Sequence, residues 1–194
     1  MTLAVLATCA CGSSKPKAVG PPHVTTFPLE SKLVNRPLSE VLVTPAGGGK
    51  GRPLLIFLHG YGGNPAGTFD SAFSRAVERL GDRAPVVLLP DGQAGWWHDR
   101  DEGKWGSYVL NEAIPAALRR SGADPDRIAI GGISMGGFGA LDLGRIAPKR
   151  FCAVGGHSPA VFERGNPDIS FGFDNARDFA RHDLLTLAKR RKLY

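Results

Sequence analysis

Ser134 lies in the segment Gly132-Ile133-Ser134-Met135-Gly136. Glycines at this spacing let the backbone turn sharply and leave the serine hydroxyl exposed, which a nucleophile requires. The bare pattern occurs by chance in many proteins, so its surroundings decide what it means. Here an apolar, strand-like stretch precedes it and an apolar, helix-like stretch follows it. We therefore expect Ser134 to be a catalytic nucleophile, with a purely structural glycine-rich turn as the alternative.

Two backbone N–H groups are candidates to stabilise an oxyanion formed by attack of Ser134. Met135 would open the helix after the serine, where the positive end of the helix dipole adds to its N–H. Tyr61 follows the first strong apolar strand, at the place where serine hydrolases with this turn take their second donor. His59 could be mistaken for a general base, but its position beside Gly60 at the strand end predicts that it shapes this loop.

Further candidate site residues are less well specified. His157 follows the last apolar strand and could line the pocket or act as a general base. Trp97 is a candidate wall of the pocket, with plain packing as the alternative. His182 is a weaker candidate base, because its stretch has the pattern of an exposed helix. Asp174 and Asp178 could supply the acid but are expected to be solvated charges.

Strands and helices alternate along the predicted fold. Apolar runs typical of strands covered on both faces occur at 53–58, 86–89, 126–131 and 151–155, after shorter extended stretches at 27–29 and 40–44. Helical spacing occurs at 68–80, 107–120 and 135–146, with Ser107 as the expected N-cap and Pro115 as an expected kink. This alternation predicts an α/β fold with a mostly parallel sheet and helices on both faces. With Ser134 at a strand-to-helix turn, it is the pattern of the α/β-hydrolase fold.

Composition bounds the class of protein. A chain of 194 residues with 42% hydrophobic and 22% charged residues fits one globular domain. The net charge of +6 raises the question of an anionic partner, but the basic residues are scattered. The only dense run, 189–192, is expected to be a solvated helix end, so no nucleic-acid partner is predicted. Cys152 stands alone in an apolar segment and is expected to be a buried thiol.

The first residues have the pattern of an export signal. The apolar run 2–8 leads into Cys9-Ala10-Cys11, followed by Gly-Ser-Ser. This resembles a bacterial lipoprotein signal covering 1–11, with Cys11 as the lipidated residue, and 12–26 reads as a flexible linker. We expect an exported protein, anchored by lipid in the bacterial cell envelope or extracellular, with membrane contact only through that anchor. The alternative is a short disordered apolar tail.

Several segments between Leu54 and Ala160 resemble one known family. LLIFLHGYGG, VVLLPDG, WWHDRDEGKW, RIAIGGISMGGFGAL and FCAVGGHSPA resemble the esterase D-like "putative esterase" family, over a little more than half of the chain. That family includes S-formylglutathione hydrolases, feruloyl esterases and mycolyltransferases of the antigen 85 type. The resemblance implies acyl transfer from an ester to water or another alcohol through an acyl-enzyme on Ser134, without a metal or other cofactor. The implied substrate is a small-molecule, lipid or polysaccharide ester.

The sequence departs from this family after Ser134. In this fold the acid and the histidine of the triad follow the nucleophile, each after a further strand. Only one convincing strand follows here, at 151–154, and 163–194 has the pattern of loop and helix. We therefore expect a C-terminally incomplete hydrolase domain spanning 27–194, without the triad acid and histidine and with little activity of its own. The alternatives are a catalytically inactive hydrolase-fold binding protein and a peptidase or lipase of the same fold.

Overall fold

The computed structural model describes residues 15–164, 166 and 169–190, and its centre is a six-stranded sheet. The strands, in chain order, are β1 (His23–Ser31), β2 (Arg36–Thr44), β3 (Leu54–Leu58), β4 (Val86–Leu89), β7 (Ile128–Gly132) and β8 (Ala153–Val154), with a separate ribbon of β5 (Asp99–Arg100) and β6 (Gly103–Lys104). Across the sheet the order is β1-β2-β4-β3-β7-β8. Strands β4, β3, β7 and β8 run parallel to one another. Strand β2 is antiparallel to both of its neighbours, β1 and β4. The predicted α/β fold with a mostly parallel sheet is confirmed.

Helices cover both faces of this sheet. They are α1 (Pro65–Thr68), α2 (Ser71–Leu80), α3 (Trp105–Tyr108), a π-helical turn (Val109–Ala113), α4 (Ile114–Ser121), α5 (Met135–Ile146), α6 (Ile169–Gly172), α7 (Ala176–His182) and α8 (Leu184–Arg190), with 3₁₀ turns at Gly81–Arg83 and Pro148–Arg150. On one face, Leu54, Ile56 and Leu58 share the main core with side chains of α4 and α5. On the other, Val87 packs with Val77 of α2 in a smaller cluster. Strand residues of alternating direction therefore feed two separate cores.

One part of the second face is open. Helix α2 covers β2, β4 and the near side of β3, so Phe57 packs edge-on against Phe73 at a ring distance of 5.1 Å. Beyond β3, an open apolar surface is lined by Leu55, Phe57, Ala129 and Val154. Val154 is 43% exposed. Within the described residues, no helix packs over this side of β7 and β8.

The structure corrects several boundaries. Strand β1 begins at His23, inside the segment predicted to be a linker, because the β-branched run Val24-Thr25-Thr26 pairs with β2. Ser107 is not a helix cap: α3 begins at Trp105, and the Ser107 hydroxyl donates to Asp99 (2.6 Å).

The expected disturbance of the helix by Pro115 takes a specific form. A π-helical turn lies directly before α4, which places the proline in the first turn of α4, where a missing N–H costs little. The prediction of a buried Cys152 thiol is wrong, since this residue is exposed. The reason is that β8 is a two-residue strand at the edge of the sheet, with one face uncovered.

The predicted export signal and the lipidation site at Cys11 lie outside the described residues. No helix in the described part of the chain is long and apolar enough to cross a membrane.

Candidate active site

Ser134 occupies the turn between β7 and α5. Its backbone has φ 53° and ψ −115°, a conformation that costs a residue with a side chain about 1–3 kcal/mol. Only glycine fits at the second position on either side of Ser134. A Cβ on Gly136 would overlap the Leu58 carbonyl group, and a Cβ on Gly132 would lie 2.7 Å from the same oxygen. The glycine spacing thus lets β7, the turn and β3 approach closely enough to hold this strained serine.

Hydrogen bonds fix the backbone of Ser134. Its N–H donates to the carbonyl of His157 (3.0 Å), and its own carbonyl accepts from the N–H groups of Phe138 and Ala160 (3.0 Å each). The residue itself is exposed, and its hydroxyl makes no hydrogen bond with any described residue. The turn therefore presents a rigidly placed, solvent-accessible hydroxyl.

The loop after β3 lies beside the serine. A Cβ built on Gly60 would lie 3.5 Å from the Cβ of Ser134, which shows how closely the two segments approach. Neither Tyr61 N–H, next in this loop, nor Met135 N–H, the first of α5, donates a backbone hydrogen bond within the described residues. The two predicted oxyanion donors are thus on segments that flank Ser134, with their N–H groups available. Their role in binding an oxyanion stays a prediction.

His59 holds this loop in shape. The residue is 2% exposed; its Nδ1–H donates to the carbonyl of Gly60 (2.8 Å), and its Nε2 accepts from Gly92 N–H (3.2 Å). These partners assign the proton to Nδ1. Burial lowers the pKa of the imidazole, which keeps the ring neutral at neutral pH. Both ring nitrogens of His59 are therefore occupied by structural partners, and neither reaches Ser134.

Trp97, a candidate pocket wall, is fully buried. Its indole N–H donates to the carbonyl of His59 (3.2 Å), and its ring fills the space left by Gly92 and Gly139. The alternative of plain packing applies. The exposed aromatic rings near the loop are instead Tyr61, 53% exposed, and Phe171, 59% exposed, whose centroids lie 5.1 Å apart.

His157 acts on the site through its backbone. It pairs with Ile133 in the parallel direction, donates its N–H to Gly132 and accepts the N–H of Ser134. Its side chain is exposed, lies at the open apolar surface beside β8, and makes no hydrogen bond within the described part of the chain. The structure thus places the backbone of His157 next to that of Ser134, while the His157 ring is not paired with the Ser134 hydroxyl.

The expectation that His182 and Asp178 are solvated is wrong. They are 8% and 1% exposed, because α7 turns this face inward together with Phe179. His182 Nδ1 lies 2.7 Å from Asp142 of α5, and Asp178 lies 3.3 Å from the buried His98. The spacing of four residues between Asp178 and His182 could have indicated that both lie on one helix face.

Asp174 is half-buried and also paired, which corrects the expectation of a solvated charge. Its carboxylate accepts from Arg100 Nε (3.2 Å) and from Asp101 N–H (2.7 Å). Each buried histidine and each of these acids is therefore engaged away from Ser134. Within the described residues, Ser134 has no histidine partner.

Comparisons with known proteins agree with this geometry. A family model described as "Putative esterase" matches residues 31–190. An acetyl esterase of Caldicellulosiruptor saccharolyticus is 34% identical over 131 residues, which make up 63% of this chain and 47% of that enzyme. The chain thus spans about half the length of this curated relative.

Solved structures show the same fold. An S-formylglutathione hydrolase from Agrobacterium tumefaciens is similar with a TM-score of 0.70 at 20% identity, over 91% of this chain and 74% of that one. A ferulic acid esterase is similar with a TM-score of 0.75 at 21% identity, over 89% of this chain and 73% of that one. At these identities the likeness concerns the fold alone.

Proposed function

The chain belongs to the family described as "Putative esterase", and on that premise we propose that it carries the nucleophile of a serine carboxylic-ester hydrolase or acyltransferase. The observation that carries the proposal is the exposed Ser134, held in strained geometry beside two available N–H groups. This arrangement matches a nucleophile whose attack creates negative charge at a fixed place.

The proposed reaction proceeds through an acyl-enzyme. The Ser134 hydroxyl oxygen forms a bond to the ester carbonyl carbon while a general base takes its proton, and the carbonyl oxygen becomes an oxyanion. Tyr61 N–H and Met135 N–H donate to that oxyanion, aided by the positive end of the 12-residue helix α5. The bond to the alcohol then breaks and the alcohol leaves with the proton. Water or a second alcohol attacks the acyl group and regenerates Ser134.

We place the general base and its acid in residues outside those described. Three observations support this part of the proposal. The buried histidines are held by other partners, and the His157 ring makes no hydrogen bond or ion pair with any acid among the described residues. The sheet face beyond β3 is open where further chain could pack. The curated acetyl esterase is about twice as long as the part that matches.

A fluorophosphonate probe tests the nucleophile in the full-length protein that contains this chain. We expect covalent labelling that is abolished by Ser134→Ala and retained by Ser71→Ala, which changes an exposed serine of α2. Labelling that persists in Ser134→Ala would overturn the assignment. A wild-type protein that neither labels nor hydrolyses p-nitrophenyl acetate would instead support the inactive binding protein.

The position of the base is tested by comparing two lengths of chain. If the base lies outside these 194 residues, the 194-residue chain should hydrolyse p-nitrophenyl acetate at least about 1,000-fold more slowly than the full-length enzyme. Equal activity of the two would locate the base within these 194 residues and make His157→Gln the next variant to measure.

For the substrate class we propose a small ester with an acetyl or aromatic acyl group. The exposed rings of Tyr61 and Phe171 support it, because they form an apolar wall at the loop whose Gly60 approaches Ser134. Acetyl and feruloyl esters of the same alcohol, compared by kcat/KM, test this choice. A strong preference for long-chain lipid esters would contradict it.

We further propose that the protein is exported and lipid-anchored through Cys11. The apolar run before this cysteine and the small residues after it support the proposal. In a bacterial host, full-length protein should partition into the detergent phase, and Cys11→Ser should move it to the aqueous phase. An unchanged aqueous distribution of both forms would contradict the anchor.

A further inference from the structure

Three potential metal ligands meet in the interior, away from Ser134. His98 comes from the loop before β5, and Asp178 and His182 lie one helical turn apart on α7. Their exposed fractions are 1%, 1% and 8%, and one ligand atom from each lies within 4.8 Å of the other two. Two imidazoles and a carboxylate are a donor set that suits divalent transition-metal ions such as Zn²⁺. We call these three residues the His98 cluster.

The distances in the His98 cluster fit a coordinated ion. Metal–ligand bonds of about 2.0–2.1 Å at tetrahedral angles place neighbouring donor atoms about 3.3 Å apart. His98 Nε2 lies 3.3 Å from Asp178 Oδ2, and His182 Nε2 lies 3.7 Å from Asp178 Oδ1. Each carboxylate oxygen thus faces one imidazole nitrogen. Asp178 could bind an ion through one oxygen or through both.

Partners on the far side orient both rings. His182 Nδ1 lies 2.7 Å from Asp142 Oδ2, and His98 Nδ1 lies 3.1 Å from the carbonyl oxygen of Trp96. Both partners are acceptors, so they favour the proton on Nδ1 and leave the Nε2 lone pairs directed toward Asp178. A carboxylate or backbone carbonyl behind the imidazole is the usual support of a metal-binding histidine.

The two imidazole rings also lie close together. Their centroids are 4.4 Å apart, so both Nε2 atoms and the Asp178 carboxylate surround one small buried volume. A metal ion there would be bound by both Nε2 atoms while each Nδ1 keeps its own partner.

We propose that His98 Nε2, His182 Nε2 and the carboxylate of Asp178 form a structural binding site for a divalent transition-metal ion of the Zn²⁺ type. The ion joins α7 to the loop that carries His98, and Asp142 connects the site to α5. Asp178 also accepts from Arg181 (2.9 Å) and from Asp174 N–H (3.0 Å), which hold its carboxylate in place.

The proposed site is structural and does not depend on the proposed function. The ring of Phe138, on α5 one turn after Ser134, packs edge-on against the ring of His98, with their centroids 5.9 Å apart. The ligands of the proposed metal site are closed off from solvent, whereas catalytic metal sites keep an open coordination position. The metal is therefore expected to change stability, and a failed metal test would leave the assignment of Ser134 unaffected.

Zinc titration of tag-free full-length protein, first stripped with a chelator, is the direct test. We expect one Zn²⁺ per chain and a rise in melting temperature with zinc concentration. Removing a ligand with His182→Gln or Asp178→Asn should weaken binding at least about 100-fold, whereas Asp142→Asn should weaken it about 10- to 100-fold. The matched control His157→Gln changes an exposed histidine outside the His98 cluster and should leave affinity unchanged.

Cobalt provides a readout that does not require the variants to fold. Co²⁺ added to stripped wild-type protein should produce visible absorption that Zn²⁺ abolishes at one equivalent. The thiols of the three cysteines are competing ligands, so the titration is repeated in the triple variant Cys9→Ser, Cys11→Ser and Cys152→Ser, where the absorption should persist. Loss of the signal in this triple variant would overturn the proposal, as would the absence of any binding below about 100 μM metal.

Discussion

The turn around Ser134 and the His98 cluster are built in opposite ways. The turn is exposed, and backbone geometry and backbone hydrogen bonds position its serine. The His98 cluster is buried, and side chains from separate parts of the chain hold one another in place. The turn must leave a hydroxyl accessible, so its precision comes from the main chain. The cluster is closed to water, so every polar atom in it needs a protein or metal partner.

This difference determines how each region responds to change. Glycines and strain maintain the turn, so added atoms should damage it and relief of strain should stabilise it. Pairing between charged and polar side chains stabilises the His98 cluster, so removal of one partner should leave a buried group without a partner and destabilise the protein. Four substitutions follow, ordered by the size of the expected effect. Three test these two regions, and the one at Glu40 tests charge balance at a buried acid elsewhere in the core.

Loss of Asp142 should be the most damaging change. Asp142→Ala removes the acceptor of His182 Nδ1 and the partner of Arg145, which lies 2.6 Å away. We expect the free energy of unfolding of metal-free protein to fall by about 3 kcal/mol, at the lower end for a buried pair because Arg145 reaches solvent. Urea unfolding measures this change. Asp126→Ala, at an exposed aspartate, should change stability by less than about 0.5 kcal/mol; equal effects would contradict the charge-balance account.

Glu40 is a buried acid with no cationic partner among the residues that the structure describes, and it should produce a pH dependence of stability. It accepts from Tyr108 OH and from Asp91 N–H, and burial raises its pKa to about 8. Above about pH 4.5 the unfolded chain loses this proton while the folded protein keeps it until about pH 8. Stability should therefore fall as pH rises through that window, by at most about 1.4 kcal/mol per pH unit.

The variant Glu40→Gln should flatten this decline, because the amide does not titrate. Urea unfolding at several pH values between 5 and 8 provides the comparison. Glu163→Gln, at an exposed glutamate, serves as the control and should keep the wild-type slope. A wild-type slope that survives in Glu40→Gln would assign the pH dependence to other groups.

Gly136→Ala should break the turn by overpacking. The added methyl group would overlap the Leu58 carbonyl and lie 2.7 Å from the carbonyl oxygen of His59, and both are backbone atoms that cannot rotate away. We expect a loss of about 1–3 kcal/mol, measured by urea unfolding. Gly155→Ala is the matched control, because its methyl group would meet no atom within 4 Å. Similar stability of both variants would show that the turn adapts more easily than its geometry implies.

Ser134→Gly should give the smallest change in stability, and this change should be a gain and not a loss. Glycine relieves a backbone strain of about 1–3 kcal/mol and costs about 0.5–1 kcal/mol of additional chain entropy on folding. The net expectation is a gain of about 1 kcal/mol, visible as a higher melting temperature. Ser134→Ala removes the same hydroxyl but keeps a Cβ, so it should show no gain. A gain in both would trace the cost to the hydroxyl and not to the backbone.

The site was predictable from the sequence where local signals were strong. Helix α5 begins and ends at the predicted residues, 135–146, and Ser134 lies at the predicted turn. The glycines around Ser134 and the apolar run of β3 are contiguous in the sequence, and their meaning depends on little else. The predictions for Cys152 and His182 failed for a shared reason: each depended on whether a distant segment covers the residue. The choice between pocket wall and plain packing at Trp97 was left open for the same reason.

Local composition therefore determined the type of fold and the turn that carries the candidate nucleophile. Parallel strands covered on both faces must be apolar, and a strained turn between strand and helix must be rich in glycine. Both features can therefore be recognised in a short stretch of sequence. Only the tertiary structure decided that α7 turns Asp178 and His182 inward to meet His98, and that part of one sheet face stays open. Burial and charge pairing depend on which segments meet in space. The sequence around His98 or around Asp178 does not indicate that these two residues come into contact.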